Sequence, residues 1–266
     1  MTELAVIGAG VMGETLIAGL LRAGWSANRI TAVDRHQPRL VELEARHGIR
    51  TASAAEAAGS ADTVVIVVKP QDADEVLPEV GGSIRPGTLV VSLCAGLSTA
   101  RIEAAMPEGT AVVRVMPNTP AQVDEGMAAI SAGASATTEH LAHVTELMSA
   151  VGKVVTVPEK YQDAVTAISG SGPAYLFFVV EAMIDAGVML GLPRDTATTL
   201  VVQTMYGSAK LLADSGEHPT VLRERVTSPG GTTAAALREL EDHRVKAAFM
   251  TAMEAARDRS RALASS

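Results

Sequence analysis

The chain reads as an α/β protein: an N-terminal, doubly wound parallel sheet followed by an all-α domain. Three observations predict this. Short Val- and Ile-rich runs alternate with amphipathic stretches through the first half. The first run leads straight into a glycine-spaced loop, Gly8-Ala-Gly-Val-Met-Gly13. From about Tyr161 the strand-like runs stop and long helical periods begin. At 266 residues the chain also exceeds the usual size of a single core. The expected division is 1–159 for the nucleotide-binding half and 160–266 for the helical half.

The expected strands are Leu4–Ile7, Ile30–Val33, Thr63–Val68, Thr88–Leu93, Val112–Val115, Met127–Ile130 and Val154–Val157. They are nearly continuous apolar runs, which suits a parallel sheet covered on both faces. The helices expected between them are Met12–Ala23, Arg39–His47 and Glu139–Val151. The second half predicts helices over Tyr161–Ile168, Pro173–Leu190, Arg194–Asp214, Val221–Val226, Thr232–Leu240 and Val245–Leu263. Gly191-Leu-Pro193 stops one helix and starts the next. Pro173–Leu190 is apolar on nearly every side, so it needs cover all round. A second copy of the chain is the expected cover, giving a homodimer.

Composition narrows the function classes. The net charge is −8 with no basic run, which disfavours nucleic acid and anionic membranes as partners. A single cysteine excludes an intramolecular disulfide and any cysteine-rich metal site, and it suits a reducing cytoplasm. The N-terminus shows no signal-peptide pattern. Ala174–Leu190 carries Glu181 and Asp185 and reads as too short and too acidic for a membrane span. None of the six histidines sits in a metal-binding pattern, so no metal is expected.

The first glycine loop matches G-x-G-x-x-G between a strand and a helix. Gly8 permits the tight turn, Gly10 admits a pyrophosphate to the backbone, and Gly13 lets helix and strand pack closely. With Ala9, Val11 and Met12 these residues form the expected dinucleotide cradle of a Rossmann domain. Asp34 ends the second strand, where an acid bonds a ribose 2′-hydroxyl. Arg35 follows it, with His36 and Arg39 near, and a guanidinium there can hold a 2′-phosphate. The two signals conflict, so both NADH and NADPH are expected cofactors. Val68-Lys69-Pro70, Cys94-Ala95-Gly96 and Asn118 end later strands at the sheet's carboxyl edge, where such folds bind ligands. Cys94 reads better as a small buried hydrophobe, and Asn118 as a partner for a nicotinamide carboxamide.

No His or Lys stands where a general acid–base for a carbinol would be needed. Reduction of a cyclic imine manages without one, because the nitrogen can arrive protonated. Such a substrate needs positioning and, if it bears a carboxylate, a handle. Val226-Thr-Ser-Pro-Gly-Gly-Thr-Thr233 supplies a candidate: a helix break, two free-turning glycines and hydroxyls at a new helix start. Each charge-assisted hydrogen bond there contributes roughly 1.5–3 kcal/mol, and the helix terminus about 0.3–1 kcal/mol.

Five segments then carry a resemblance across nearly the whole chain: Gly8–Gly13, Val68–Pro70, Met116-Pro-Asn-Thr-Pro120, Ser169-Gly-Ser-Gly-Pro-Ala-Tyr175 and Ser228-Pro-Gly-Gly-Thr-Thr233. Together they resemble the pyrroline-5-carboxylate reductase family. The resemblance implies a Rossmann domain, a helical dimerisation domain, and dimers that often assemble into decamers. It implies reduction of L-1-pyrroline-5-carboxylate to L-proline with NADPH or NADH. Ser228, Gly231, Thr232 and Thr233, with Val226 and Gly230 in the same turn, match the positions that hold the substrate. Thr233 matches the hydroxyl proposed to contact the ring nitrogen. Gly170–Gly172 would lie near the active site. Asp34-Arg35 departs from the Ser or Asn common in NADPH-preferring relatives.

Two other readings compete. A 3-hydroxyacid or 6-phosphogluconate-type dehydrogenase needs a Lys and an Asn on a central helix, and Pro173–Leu190 has neither. A non-catalytic dinucleotide sensor would not need the Ser228–Thr233 turn.

Overall fold

The computed structural model of the chain describes residues 2–264. Its strands are β1 (Leu4–Ile7), β2 (Ile30–Val33), β3 (Arg50–Thr51), β4 (Thr63–Ile66), β5 (Leu89–Ser92), β6 (Ala111–Met116), β7 (Gly126–Ala132) and β8 (Gly152–Thr156). They form one sheet in the order β3-β2-β1-β4-β5-β6-β7-β8. Strands β1 to β6 are parallel; β7 runs antiparallel to β6 and β8 parallels β7. The all-parallel expectation therefore fails at this edge. There β6 returns to β7 through the short turn Thr119–Val123, with no crossover helix to preserve direction.

Every residue of β1, β2, β4 and β5 is buried, so both faces of the sheet are covered. The covering helices are α1 (Val11–Arg22), α2 (Gln37–His47), α3 (Ala54–Ser60), α4 (Ala73–Gly81), α5 (Thr99–Glu103) and α6 (Thr138–Ser149). Leu4 and Val6 meet Leu16, Ile17 and Leu20 of α1, with Leu43 of α2 and Leu147 of α6, on one face. Ala5 and Ile7 meet Ala57 of α3, Leu77 and Val80 of α4 and Ile102 of α5 on the other. Burying each such Leu or Ile is worth about 1.5–3 kcal/mol, so the alternating sides of β1 anchor two separate cores.

The helical half runs through α7 (Gln162–Val165), a π-helical turn (Thr166–Gly170), α8 (Gly172–Met189), α9 (Arg194–Ser215), α10 (Pro219–Arg225), α11 (Thr232–Asp242) and α12 (Val245–Ala264). The last strand ends at Thr156. The compact units divide later: one holds the chain through Ser171 with the segment from Ala256 onward, the other is Gly172–Ala255. In the second unit α8 and α9 form an antiparallel-type pair turned by Gly191, whose φ is +96°. A Cβ on Gly187 would lie 2.9 Å from that of Ala197, so the glycine lets the two helices close.

Only Pro173 is buried along α8, while Phe177 and Phe178 are 68% and 71% exposed. The 3₁₀ turn Glu159–Tyr161, α7, the π turn and α8 run on as 31 helical residues, enough by length and composition to span a bilayer.

Glu14, in the first turn of α1, ties α1 to α2. It accepts from Arg39, from Arg46 Nη1 at 2.7 Å and from His47 Nε2 at 3.1 Å. Arg39 also reaches Glu42 at 2.8 Å and the Ala9 carbonyl at 3.2 Å. Partial burial pushes the Glu14 carboxyl up, but its bonds to His47, Arg39 and Arg46 outweigh this and bring it from 4.5 to about 2.

Two measurements check these contacts. The folded-state pKa of Glu14 lies below the ordinary value, so its contribution is full above about pH 5 and fades as pH falls through 4.5 towards 2. Glu14→Gln is expected to lower stability at pH 7 by about 1–2 kcal/mol, reduced by solvent screening. That difference should vanish in melts near pH 2. Gly81→Ala drives a Cβ into the Ala105 carbonyl oxygen and should cost about 1–3 kcal/mol. Gly59→Ala meets only the Ser83 carbonyl at 3.4 Å and should be neutral or stabilising by less than about 1 kcal/mol. Equal denaturant midpoints for the two alanine variants would contradict the packing.

Candidate active site

The glycine loop is shaped by what surrounds it. Gly8 has φ +101°, and its N–H donates to the Val33 carbonyl at 2.8 Å, pinning the loop to the end of β2. A Cβ there would lie 2.8 Å from the Val67 carbonyl carbon and oxygen, just past β4. A Cβ on Gly13 would overlap the Gly8 carbonyl oxygen. Both glycines thus serve the close packing expected of them. Gly10 differs: a Cβ there would meet nothing within 4 Å. Gly10 precedes α1, and no side chain caps that helix. Its first N–H groups face open space, a site suited to a phosphate. Ala9 is buried, whereas Val11 is 66% exposed beside the opening.

A cavity of about 750 Å³ begins at this loop. Gly8, Gly10, Asp34, Arg35, Val68 and Lys69 all border it, so the sheet topology brings together residues far apart in sequence. Its size falls within the range of small-molecule sites, about 300–1,000 Å³. Asp34 is fixed by two backbone amides: Oδ2 accepts from Ala9 N–H at 3.1 Å and Oδ1 from His36 N–H at 2.9 Å. Each oxygen retains lone-pair capacity for a ribose hydroxyl. Arg39, considered for a 2′-phosphate, is committed to Glu14, Glu42 and the Ala9 carbonyl. Sequence reasoning missed the Thr51–Ala54 wall and the acids Asp72, Glu75 and Glu79. The wall follows β3, a strand too short to leave a periodic signal.

A second cavity, about 780 Å³, lies further along the carboxyl edge of the sheet. Pro70, Ala95, Gly96, Thr166, Ser171 and Arg259 border it. This joins two expected segments, the turn after β5 and the Ser169–Gly172 motif. The C-terminal contribution, Arg259 and Ser260, had no motif to announce it. Cys94, read as a small buried hydrophobe, is 2% exposed, and its thiol donates to the Val68 carbonyl at 3.2 Å. Burial raises its pKa, so it remains a protonated, inert thiol.

Asn118 Oδ1 accepts from Met127 N–H at 2.8 Å, and its Nδ2 donates to the Ser169 carbonyl at 3.1 Å. The amide braces the π turn against the sheet, and each of its two polar atoms keeps one further hydrogen-bonding position. The π turn closes with Ser171 N–H on the Thr166 carbonyl at 2.8 Å. A Cβ on Gly170 would come within 2.5 Å of Met116 Cε, so the methionine side chain would have to shift where the turn meets β6. Below it, Glu159 accepts from Thr99 N–H and Oγ1, both at 2.7 Å, and from Arg114 at 3.2 Å. Burial pushes the Glu159 carboxyl up; the Thr99 bonds and the Arg114 guanidinium outweigh it and hold the group ionised. This buried support, too, left no trace in sequence spacing.

In the helical unit, Ser228–Gly231 forms the turn between α10 and α11. Gly230 has φ +69°, and Gly231 N–H donates to the Ser228 carbonyl at 3.0 Å. A Cβ on Gly231 would collide with the Ser228 hydroxyl. Gly231 precedes α11 without any side-chain cap, leaving the first N–H groups beside the Thr232 and Thr233 hydroxyls. Val226 and Ser228 are exposed at the same turn, while Thr233 is half-buried. The turn therefore places uncapped N–H groups and three hydroxyl-bearing residues close together in sequence. Among the described residues no group of three or more His, Cys, Asp or Glu is placed to hold a metal ion.

Comparison with known proteins agrees with both halves. Residues 3–96 match the family model described as NADP oxidoreductase coenzyme F420-dependent, and residues 159–263 match pyrroline-5-carboxylate reductase dimerisation. The chain is 45% identical to a pyrroline-5-carboxylate reductase from Corynebacterium melassecola, over 99% of both chains. A solved pyrroline-5-carboxylate reductase from Coxiella burnetii superposes with a TM-score of 0.94 at 34% identity, covering 98% of each chain. A pyrroline carboxylate reductase from Plasmodium falciparum, solved with NADP bound, gives 0.88 at 31% identity, covering 99% of this chain and 98% of that one. The apolar faces of α8 and α9 thus belong to a dimerisation domain. With full-length likeness to these enzymes in both halves, the chain belongs to the pyrroline-5-carboxylate reductase family.

Proposed function

We propose that the protein reduces L-1-pyrroline-5-carboxylate to L-proline, the last step of proline biosynthesis, using NADH or NADPH. The observation that carries this reading is the uncapped start of α11, where Ser228, Thr232 and Thr233 gather hydroxyls beside free N–H groups. A hydroxy-acid dehydrogenase or a dinucleotide sensor has no use for that turn.

The residues present fit the nucleotide. Gly10 leaves open space where any other residue would place a Cβ, at a helix start that no side chain caps. The N–H groups from Gly10 onward would hold the pyrophosphate, and Asp34 the adenosine ribose. Val68, Lys69 and Pro70 would line its path, and the Ala95–Gly96 turn would border the nicotinamide end. When bound, the cofactor supplies a hydride. The chain's own part is to bind and orient. Ser228, Gly230, Gly231 and Thr232 grip the substrate carboxylate through charge-assisted hydrogen bonds, about 1.5–3 kcal/mol each. Val226 borders this grip. The Thr233 hydroxyl contacts the ring nitrogen and holds its proton in place. That nitrogen arrives protonated, so the carbon is already electrophilic and no strong protein acid is required.

The same reading makes the protein a cytoplasmic homodimer whose dimers assemble into decamers. Its net charge of −8 supports a partner set without nucleic acid. The match of residues 159–263 to a dimerisation domain supports a protein partner, not lipid, over the apolar helices.

Mixing the protein with pyrroline-5-carboxylate and either reduced cofactor should oxidise the nicotinamide, followed by absorbance. No oxidation with either one would refute the assignment. Thr233→Ala should lower kcat by about tenfold or more while leaving cofactor affinity near normal, with residual activity surviving. A change in kcat/KM under about twofold, on the order of 0.4 kcal/mol, would remove Thr233 from the chemistry.

A further inference from the structure

Arg35 stands one residue past Asp34, at the end of the cavity where the ribose 2′ position is expected. Its Nη1 lies 3.1 Å from Asp72 Oδ1. Asp72 belongs to the turn Pro70–Asp72, which follows β4, while Arg35 follows β2. Both residues border the same cavity, so the ion pair links its two sides. Asp72 directly precedes α4, yet its carboxylate makes no bond to that helix's N–H groups. It is turned to Arg35 instead. The pair is unequal: the Asp72 side chain is 24% exposed and that of Arg35 76%. The acid is seated and the guanidinium is the movable member.

The surroundings offer little else to a 2′-phosphate. Arg39 is committed to Glu14, Glu42 and the Ala9 carbonyl. Asp34 is locked by the Ala9 and His36 amides as a carboxylate. Glu75 and Glu79 add two further acids to the lining. Lys69 is the other cation at the cavity, three residues before Asp72 in the chain.

We propose that Asp72 is a specificity-determining residue: by holding Arg35 across the cavity it withholds the guanidinium from the 2′-phosphate that distinguishes NADPH from NADH. This rests on the dinucleotide reading of that cavity. The wild-type site then favours the 2′-hydroxyl form through Asp34. NADPH remains usable because an exposed ion pair is a weak tether that a phosphate dianion can outcompete. Asp72 acts through Arg35 and touches no reacting atom.

The test measures binding, not turnover. ADP-ribose and its 2′-phosphate are titrated calorimetrically into the full-length protein and into Asp72→Asn, Arg35→Ala and the double variant. In wild type the 2′-phosphate should bring no gain in affinity beyond about twofold, and Arg35→Ala should change its binding by less than about twofold. Asp72→Asn should bind the 2′-phosphate about three- to tenfold tighter with ADP-ribose unchanged, and the gain should vanish in the double variant. The NADPH to NADH ratio of kcat/KM should rise in step. Three results would each overturn the proposal: no gain in Asp72→Asn, a gain that survives loss of Arg35, or a tenfold loss from Arg35→Ala in the wild-type background. The second of these would mean that removing an acid near Lys69 is enough. If wild type binds neither ligand, the dinucleotide reading fails and the proposal falls with it; if both bind but the variants do not differ, only the proposal falls.

Discussion

The contact between Gly13 and the Gly8 carbonyl is the constraint from which the N-terminal site follows. No Cβ fits between them, so α1 starts hard against the end of β1. Gly8 in turn is held by Val33 at the end of β2 and crowded by Val67 after β4. Three neighbouring strands therefore deliver their carboxyl ends to one point, and the first N–H groups of α1 open there. A bulkier residue at either glycine would push the helix outwards and separate the anion cradle from Asp34. The binding power of the site is a backbone property, purchased by nothing more than side chains left out.

Charge is arranged to protect that cradle. Glu14 lies in the first turn of α1, where an acid favours the helix dipole but would repel an incoming phosphate. Arg39, Arg46 and His47 surround it, so the acid keeps its dipole benefit while its field towards the opening is neutralised. The same pairing removes Arg39 from the set of cations that could contact a ligand. What remains near the ribose end is a fixed Asp34 and an Arg35 leaning towards Asp72. Cofactor choice in this chain is thus a question of which bonds each arginine already has. Counting arginines near the strand end could not resolve it.

Period and punctuation made much of the fold legible. The runs at Leu4–Ile7 and Ile30–Val33 match β1 and β2 end to end, because strands buried on both faces must be continuously apolar. Helices α1, α6, α9 and α11 were likewise readable from their apolar period. Helices α3, α4 and α5 were not named: α3 is alanine-rich, α4 contains Pro78, and α5 spans five residues. Strand β3 pairs through only two residues. In the candidate site, loops whose chemistry is backbone geometry were readable, because glycine spacing encodes them. The structural partners of Asn118, Cys94, Glu159 and Arg114 were not legible for one reason. Their roles depend on partners distant in sequence: Ser169 for Asn118, Val68 for Cys94, Thr99 for the Glu159–Arg114 pair.

Helix α8 poses the sharpest choice between two apolar environments. Its exposed Leu176, Phe177 and Phe178 demand cover, and the unbroken run from Glu159 is long enough for a bilayer. Yet Glu181 and Asp185 fall within α8, four residues apart and so on one helix face. Placing a carboxylate at mid-bilayer costs about 2.5–3.5 kcal/mol on the insertion scale. Asp185 pairs with Arg194 at 3.0 Å, and both side chains are more than half exposed, so this pair is built for water. By the same spacing Phe177 shares that face, so whatever covers it must also accommodate carboxylates, which a second copy of the chain can do with polar groups and a lipid annulus cannot.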